Sequence, residues 1–405
     1  MKKLYFGLLL LADCLIVTSC SKESEITSEP TAIIEDNGNG NETGDSSKIQ
    51  RDSVYNMLPE TRNIILSNEQ RQLVEKSNAF SYNLYKLASS TDLQKGKSLL
   101  MSPLSAMYVL GMLNEGAIGN TEKELSSLFS LPSGSKDIIN AYCQTLLTQA
   151  PLADPSTTLQ IANIVAVSQD IELSQLFKSQ MQQFYLAETA SLDFSKSNAL
   201  QYLNNWCKDN THGMIPSIIE SLSPDTRMAL LNAVFFKATW TDKFDPKDTR
   251  DETFTSEDSL MTISIPMMHR KAVAMYSPGD IFSILCLPYG SGSNWQMMVM
   301  LPNEGKNVDD IINSLTITPW ETQWSKNRDC YEVDIKMPRF STVSDIVLNE
   351  IIAQMGATLM FSEAANFSMM TEKGESIMVS LLKQKAAIEV SEEGTKASAV
   401  TAALA

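Results

Sequence analysis

The chain has 405 residues, of which 43% are hydrophobic and 20% charged, and this is enough material for one large or two medium domains with a substantial core. Its formal net charge is -16 at pH 7. Phosphate binding requires clustered Lys and Arg, so this charge argues against a nucleic-acid partner and indicates an acidic, soluble surface.

The first twenty residues have the form of a secretory signal. Residues 1–3 are Met-Lys-Lys, residues 4–17 are mostly apolar, and the segment ends in Val-Thr-Ser-Cys at Cys20. The apolar run is shorter than the roughly 20 residues that span a bilayer. Its ending resembles the bacterial lipobox, whose cysteine is lipidated and becomes the first mature residue. We therefore expect a signal peptide over 1–19 and a membrane anchor at Cys20, on the outer membrane or cell surface or released from it, with plain secretion as the alternative.

The segment after Cys20 is acidic and nearly free of aromatic residues. Low hydrophobicity combined with excess negative charge prevents a chain from burying enough apolar surface to fold. We therefore predict a disordered acidic tether over 20–66, which would lift the folded domain off a membrane surface.

At Ser67 the composition changes to that of a folded domain. Ser67 and Gln70 fit a capping box, and apolar residues then keep helical spacing to Ala88. Residues 97–116 predict a short apolar strand followed by a very apolar helix, which begins at a proline and ends at a glycine. Farther on, the patterns predict a helix within 130–158, a strand over 160–167 and a helix over 173–184.

An apolar run over 230–240 predicts a strand that is buried on both faces. Asn232 lies inside this run, and a buried asparagine without hydrogen-bond partners would cost about 1–3 kcal/mol, so partners are expected nearby. After the strand come a hairpin over 285–301, an alternating strand over 331–337, and a helix over 346–355 that ends at Gly356.

The end of the chain combines a strand with a segment of small residues. Apolar and other residues alternate over 386–390, and this strand is expected to stop near Glu393. In isolation the residues after Gly394 would form a mobile exposed loop, or simply an Ala-rich frayed terminus. They also have strand potential, because small residues recur on one face while Lys396 falls on the other, where its ammonium can stay in water. That face consists of Thr395, Ala397, Ala399, Thr401 and Ala403.

The order of these motifs over 67–405 resembles the serpin family. The sequence Glu-Glu-Gly-Thr-Lys-Ala-Ser-Ala over 392–399 resembles the hinge of the serpin reactive-centre loop. Residues 102–105 and 116–121 match the family pattern of its second helix, and residues 360–362 and 365–368 complete the match. The order of the motifs is more specific than any one of them.

The resemblance implies a fold class, α+β with three β-sheets and about eight to nine helices, and a reactive-centre loop able to insert as a strand of the main sheet. It also implies a protease inhibitor of the suicide type, not an enzyme. The target protease forms a covalent acyl-enzyme with the loop and is trapped when the hinge segment inserts. Serine proteases are the expected targets, with cysteine proteases left open. The expected scissile bond lies beyond Ala405 and the final strands of the family are missing, so we expect the larger fragment of a loop-cleaved molecule or a truncation.

Site residues follow from the resemblance by position. A polar cluster beneath the opening sheet would consist of Ser102, Ser105, Asn232 and Gln384. Gln384 stands where histidine is usual, which keeps hydrogen bonding but removes titration near neutral pH. Trp240 matches the tryptophan where the loop first enters the sheet. The reactive-loop hinge comprises Glu392, Glu393, Gly394, Thr395, Lys396, Ala397, Ser398, Ala399, Val400 and Thr401.

Catalytic and metal chemistry are not indicated. With two histidines, His212 and His269, no nucleophile, base and acid can be assembled, and no phosphate loop or metal-ligand spacing is present, so we expect no cofactor and no metal. The cysteines outside the signal region lack CxxC spacing and are interpreted as buried free thiols. They are Cys143, Cys207, Cys286 and Cys330.

The remaining partner predictions are negative or open. We expect no heparin binding, because Lys136 is the only basic residue within 130–158. We also expect a monomer. Two other functions are retained as alternatives. One is a non-inhibitory serpin-fold binding protein. The other is a surface lipoprotein for adhesion or nutrient capture, a function that would not explain the hinge sequence.

Overall fold

The structure, a computed structural model, describes residues 61–405 except 92–96, 256–261, 293, 316–318 and 376, and only the backbone of 319–322. This part of the chain forms nine α-helices and eleven β-strands, an α+β fold as predicted. The helices are α1 Asn68–Ser89, α2 Pro103–Gly116, α3 Gly119–Leu128, α4 Lys136–Gln149, α5 Gln175–Tyr185, α6 Ser197–Asn210, α7 Val308–Ser314, α8 Pro319–Asn327 and α9 Asn349–Gln354. No described helix is both long and apolar enough to cross a membrane.

The strands form two hydrogen-bonded sheets within the described residues. They are β1 Thr157–Ser168, β2 Glu188–Leu192, β3 Met228–Thr239, β4 Arg250–Thr255, β5 Thr262–Ser277, β6 Phe282–Pro288, β7 Gln296–Pro302, β8 Asp329–Pro338, β9 Phe340–Val347, β10 Leu381–Val390 and β11 Gly394–Leu404. The main sheet has the order β2-β1-β3-β11-β10-β9, and all its neighbours are antiparallel except β1 and β2.

The smaller sheet explains why two sheets are found where the resemblance implied three. It has the order β4-β5-β6-β7, with β8 also paired to β5. Strand β5 has 16 residues and pairs with β4, β8 and β6 along successive parts of its length. Because β5 pairs with three of the other four strands and β7 joins through β6, all five strands form one hydrogen-bonded sheet.

The main sheet has a hydrophobic cluster on each face. The first cluster contains α2 and most of the helices, and the second contains α6 and residues 215–219. Ser102 is the N-cap residue of helix α2, and its side-chain oxygen accepts from the Ser105 N–H. Pro103 is the first residue of the helix. Every residue of α2 is buried, because the helix lies against β3 and β11 on one side and against other helices on the other.

Several elements differ from the predictions. The short strand predicted before Pro103 was wrong, because residues 98–102 form no regular secondary structure. Residues 61–66 belong to the folded domain and not to the tether, since Ile64 and Leu66 are buried in the first cluster and the Arg62 N–H donates to the Ala153 carbonyl. Ile64 and Leu66 are too few to show a periodic pattern, and the residues that bury them are distant along the chain. The helix predicted over 346–355 begins at Asn349, because residues 346–347 complete β9. The signal peptide, Cys20 and the tether up to residue 60 lie outside the described residues.

Candidate functional site

Strand β11, which contains most of the predicted hinge, lies in the middle of the main sheet. It pairs with β3 from Gly394 to Leu404 and with β10 from Thr395 to Leu404, so its backbone is hydrogen-bonded on both edges. Just beyond it, the Ala405 carbonyl accepts from the N–H groups of Arg227 and Met228. The segment that would be a mobile loop in isolation is therefore a central strand here.

Small side chains suit this position because helices cover the sheet on both faces. Ala399 and Ala403 face the first hydrophobic cluster, and Val400, Ala402 and Leu404 face the second. A central strand between two packed layers has no face toward water, so bulky or charged side chains would displace one of the layers. The sequence pattern predicted one sheet-facing side, whereas both sides of β11 are buried from Ser398 onward.

Gly394 is required by a close approach of two backbones. A Cβ atom at this position would lie 2.0 Å from the carbonyl oxygen of Ala238 and 2.7 Å from the Cα atom of Thr239. Both are backbone atoms of β3, which cannot move aside as a flexible side chain could. The first residue of β11 can therefore pair with the end of β3 only as glycine.

An aromatic pair marks the point where β11 enters the sheet. The rings of Trp240 and Tyr289 stack with centroids 4.5 Å apart, and the indole Nε1 donates to the Ser391 carbonyl at 2.8 Å. The hydroxyls of Tyr289 and Thr395 lie 2.5 Å apart, which satisfies the only polar group of the Thr395 side chain. Trp240 was predicted at this place, whereas Tyr289 was missed, because nothing in its local sequence distinguishes it from a strand residue.

The two acids before Gly394 differ in their surroundings. Glu392 is buried, and its carboxylate accepts from the Thr249 hydroxyl at 2.7 Å and lies 3.5 Å from the Arg339 guanidinium. Glu393 is exposed and pairs with Lys243 at 2.5 Å. Its two partners lie just before β4 and between β8 and β9, so Glu392 ties the turn between β10 and β11 to these segments, while the exposed pair contributes little.

Gln384 of β10 joins the strands to the start of α2. Its side-chain amide accepts from the Ser102 N–H at 2.8 Å and donates to the Ser102 carbonyl at 2.9 Å. It also donates to the Thr401 hydroxyl at 2.7 Å, which lies 2.9 Å from the Ser105 hydroxyl. Three of the four predicted cluster residues are thus brought together, with Thr401 of β11 at their centre.

Asn232 does not hydrogen-bond to these serines, which corrects the predicted cluster. Its Nδ2 donates to Asn163 Oδ1 at 2.9 Å, and its Oδ1 has no hydrogen-bond partner among the described residues. The register places Asn163, Asn232, Thr401 and Gln384 side by side across four strands. Asn163 was overlooked although it carries the same signal as Asn232, a polar residue inside an apolar strand.

Lys396 is less exposed than predicted. It is half-buried, and its Nζ lies 5.9 Å from the centroid of the Phe235 ring. An ammonium over an aromatic face is attracted by the ring quadrupole, and the stem of this lysine covers apolar surface.

The histidines and cysteines do not form a catalytic centre in the described part of the chain. His212 lies in a turn and contacts Gln160 at 2.5 Å, and His269 contacts Glu252 at 2.9 Å. None of the four cysteines in the described residues forms a disulfide; three are buried as predicted, whereas Cys330 is exposed, which corrects the prediction for that residue. Burial raises the pKa of the Cys207 thiol to about 12, which keeps it protonated and unreactive. No group of three acidic, histidine or cysteine side chains there is placed to hold a metal ion.

The fold and the site together define an α+β protein whose C-terminal segment supplies a central strand of its main sheet. The sequence model of the Serpin (serine protease inhibitor) family matches residues 75–405. Serpin B6 of Macaca fascicularis is 30% identical over 82% of this chain and 89% of its own length. Reactive-loop-cleaved human thyroxine-binding globulin superposes with a TM-score of 0.77 at 26% identity, over 83% of this chain and 98% of its own. Cleaved serpin 42Da superposes with a TM-score of 0.77 at 30% identity, over 83% of this chain and 90% of its own.

The chain belongs to the serpin family. Members of this family generally act as protease inhibitors and not as enzymes, although some are not inhibitory.

Proposed function

We propose that this protein inhibits serine proteases by suicide trapping, a step that is equally open to cysteine proteases. The observation that carries the proposal is the position of β11, which is fully paired as a central strand although its own composition favours a loop. The two superposed structures named above are of cleaved serpins, which supports the view that this arrangement is the one reached after cleavage.

The proposed mechanism begins with attack of the protease nucleophile on a loop carbonyl beyond Ala405. The peptide bond breaks, the new amine leaves, and the protease is held as an acyl-enzyme ester or thioester. Residues 394–404 then insert between β3 and β10 and carry the bound protease away before water completes the hydrolysis. Each new ladder hydrogen bond contributes about 0.5–1.5 kcal/mol, and β11 forms ladders on both edges.

Fast insertion requires that the first residues of the loop enter the sheet without an unpaired charge. Thr395 is 3% exposed and lies against Ala238 and Val390 in the register, with its hydroxyl on Tyr289. Burying an unpaired charge at such a position costs several kcal/mol, which would slow insertion and let hydrolysis win. The uncharged Thr395 therefore supports inhibition over mere membership of the fold.

We expect Thr395→Arg to convert the inhibitor into a substrate. In protein that carries the loop beyond Ala405, the variant should form at least about tenfold less SDS-stable protease complex, since each 1.4 kcal/mol changes a rate ratio by a factor of ten. Lys396→Arg is the matched control, because Lys396 is already charged and only half-buried. The measurement is gel analysis against a panel of serine proteases followed by cysteine proteases. Undiminished trapping by Thr395→Arg would contradict the insertion step.

The non-inhibitory binding protein and the surface lipoprotein for adhesion or nutrient capture predict a different result. Either protein would be cut by some proteases in the panel, yet no covalent complex would appear with any of them. The covalent complex thus separates inhibition from the alternatives, independently of which protease is the natural target.

The cellular location is a separate proposal that rests on the sequence before residue 20. We infer that Cys20 carries a lipid and anchors the protein to the outer membrane or cell surface. Expression with a radiolabelled fatty acid should label the wild type and not Cys20→Ser, and the variant should leave the membrane fraction. Equal membrane association of both proteins would exclude this anchor.

A further inference from the structure

A small cavity of about 80 Å³ lies beside residues 397–399 of β11. Its walls come from β1, β3, β10 and β11, from residues 100–104, and from Tyr289, Trp295 and Gln296. None of the lining residues is charged, and most are apolar. Such walls favour a neutral, largely apolar occupant, because a charge would be desolvated without a counter-charge.

One polar group at this cavity is left without a partner. Trp295 lines the cavity and is 7% exposed, and its indole Nε1 makes no hydrogen bond within the described part of the chain. The other polar side chains at the wall are engaged: Tyr289 with Thr395, Ser398 with the Val234 carbonyl, and Gln296 with Cys286. A buried N–H donor without an acceptor is costly, so an occupant with an acceptor atom would be favoured.

The size of the cavity limits the occupant. One water occupies about 30 Å³ in the liquid, and an apolar cavity of about 150 Å³ is large enough for benzene. A cavity of about 80 Å³ therefore suits a molecule of roughly three non-hydrogen atoms. Ala397 and Ala399 of β11 form part of the wall, so the cavity has this shape only when β11 is in the sheet.

We infer that the inserted form of the protein binds a small, neutral, mostly apolar molecule with one hydrogen-bond acceptor in this cavity, next to Trp295. Binding there stabilises the inserted form, because a ligand that prefers one conformation shifts the equilibrium toward it. The site does not depend on protease inhibition, since every residue that forms it is in place in the inserted form itself.

The test compares two small gases of the same shape on the full chain in its inserted form. Dimethyl ether has an ether oxygen as acceptor, and propane has none. In ¹⁵N-labelled protein, dimethyl ether should move the Nε1–H resonance of Trp295 in a saturable way, whereas propane should bind without a comparable shift. Trp206 provides an internal control, because its Nε1 also lacks a partner among the described residues but lies in the second cluster, away from the cavity.

Two variants identify the groups responsible. Trp295→Phe should weaken binding of dimethyl ether by about 3- to 10-fold and leave propane unaffected, which is the effect of one hydrogen bond. Ala399→Leu should fill the cavity and abolish binding of both compounds, and Trp206→Phe should change neither. If Ala399→Leu does not fold, the wild-type comparison and Trp295→Phe still decide the question.

Three outcomes would overturn the inference. One is the absence of a saturable response at Trp295, and another is an equal response at Trp206. The third is an ordered water on Trp295 Nε1, seen in a crystal structure, that dimethyl ether does not displace. The first two would show that the cavity takes no such ligand, and the third that solvent already satisfies the indole.

Discussion

Glu115 of α2 is an acid held almost out of water. It is 3% exposed, and its carboxylate accepts from Asn140 Nδ2 at 2.6 Å. Burial raises its pKa, against the opposing effects of the Asn140 hydrogen bond and the Lys136 charge. The hydroxyl of Tyr185 donates to the Asn140 Oδ1 at 2.7 Å, so the acid is one end of a polar chain beneath the main sheet.

This polar chain continues to the strand beside β11. Asn163 Nδ2 donates to the Tyr185 carbonyl at 2.7 Å, and Asn232 donates to Asn163. Asn232 in turn lies opposite Thr401 in the register of β3 and β11. Tyr185 therefore joins two polar groups, one with Asn140 and Glu115 through its hydroxyl and one with Asn163 and Asn232 through its backbone carbonyl.

We expect Glu115→Gln to stabilise the protein at neutral pH, by an amount on the order of 1 kcal/mol. A folded-state pKa raised above the unfolded value means that stability is highest with the acid protonated and falls as pH rises through that pKa. Glutamine carries no such penalty, so the gain should disappear as pH falls below about 4.5, the ordinary carboxyl pKa. Guanidinium unfolding at several pH values measures it, with the exposed Glu188→Gln as control. A gain that is equal at pH 4 and pH 7 would show that burial of the charge is not the cause.

At the scale of elements, Gln384 links β10, β11 and the first turn of α2. Its amide uses both a donor and an acceptor on the backbone of Ser102 and a second donor on Thr401. Neutral histidine has one donor and one acceptor, and protonated histidine has no acceptor at all. The residue type therefore decides whether the contact between strand and helix responds to pH.

We expect Gln384→His to make the stability of the inserted form pH-dependent. Burial opposes the charged imidazole and lowers its folded-state pKa, so stability should fall as pH drops below about 6.5, by about 1–3 kcal/mol when the Ser102 N–H loses its acceptor. The measurement is guanidinium unfolding between pH 7.5 and 5. Gln354→His, at an exposed position in α9, is the control. A difference from wild type that is the same at both ends of this range would contradict the assigned role.

At the scale of the whole molecule, the position of β11 determines how much apolar surface is buried and how many backbone groups are hydrogen-bonded. Residues 394–404 fill the space between β3 and β10 and complete both hydrophobic clusters. With these residues outside the sheet, β3 and β10 would each lack a partner along one edge. An arrangement with these residues outside the sheet would therefore be much less stable than the one observed.

We expect that cutting the loop of the uninserted protein raises its melting temperature by about 10 °C or more, because each kcal/mol is worth about 2–4 °C even for domains of 150–250 residues. Differential scanning calorimetry before and after limited proteolysis measures the change. A cut outside the loop provides the control and should not raise the melting temperature. An unchanged melting temperature, with residues 394–404 still open to proteases, would refute the insertion account.

The sequence was informative wherever a signal lies within a few residues. The capping box at Ser67 and Gln70 and the helix start at Ser102 and Pro103 are found as predicted. The number of sheets, the burial of Ile64 and Leu66, and the pairing of Tyr289 with Trp240 were not predicted. Each of these depends on groups that are distant along the chain, for which spacing gives no information.

By itself the sequence determined the types of the main elements and the family, because backbone capping, periodicity and residue size act locally and leave a pattern. Only the tertiary structure decided that Asn232 bonds to Asn163 and not to the serines, that β5 unites the smaller sheet, and that β11 is buried on both faces. The physical reason is register: which side chains meet across a sheet depends on how strands far apart in the chain align, and that alignment is fixed only when both hydrophobic clusters pack.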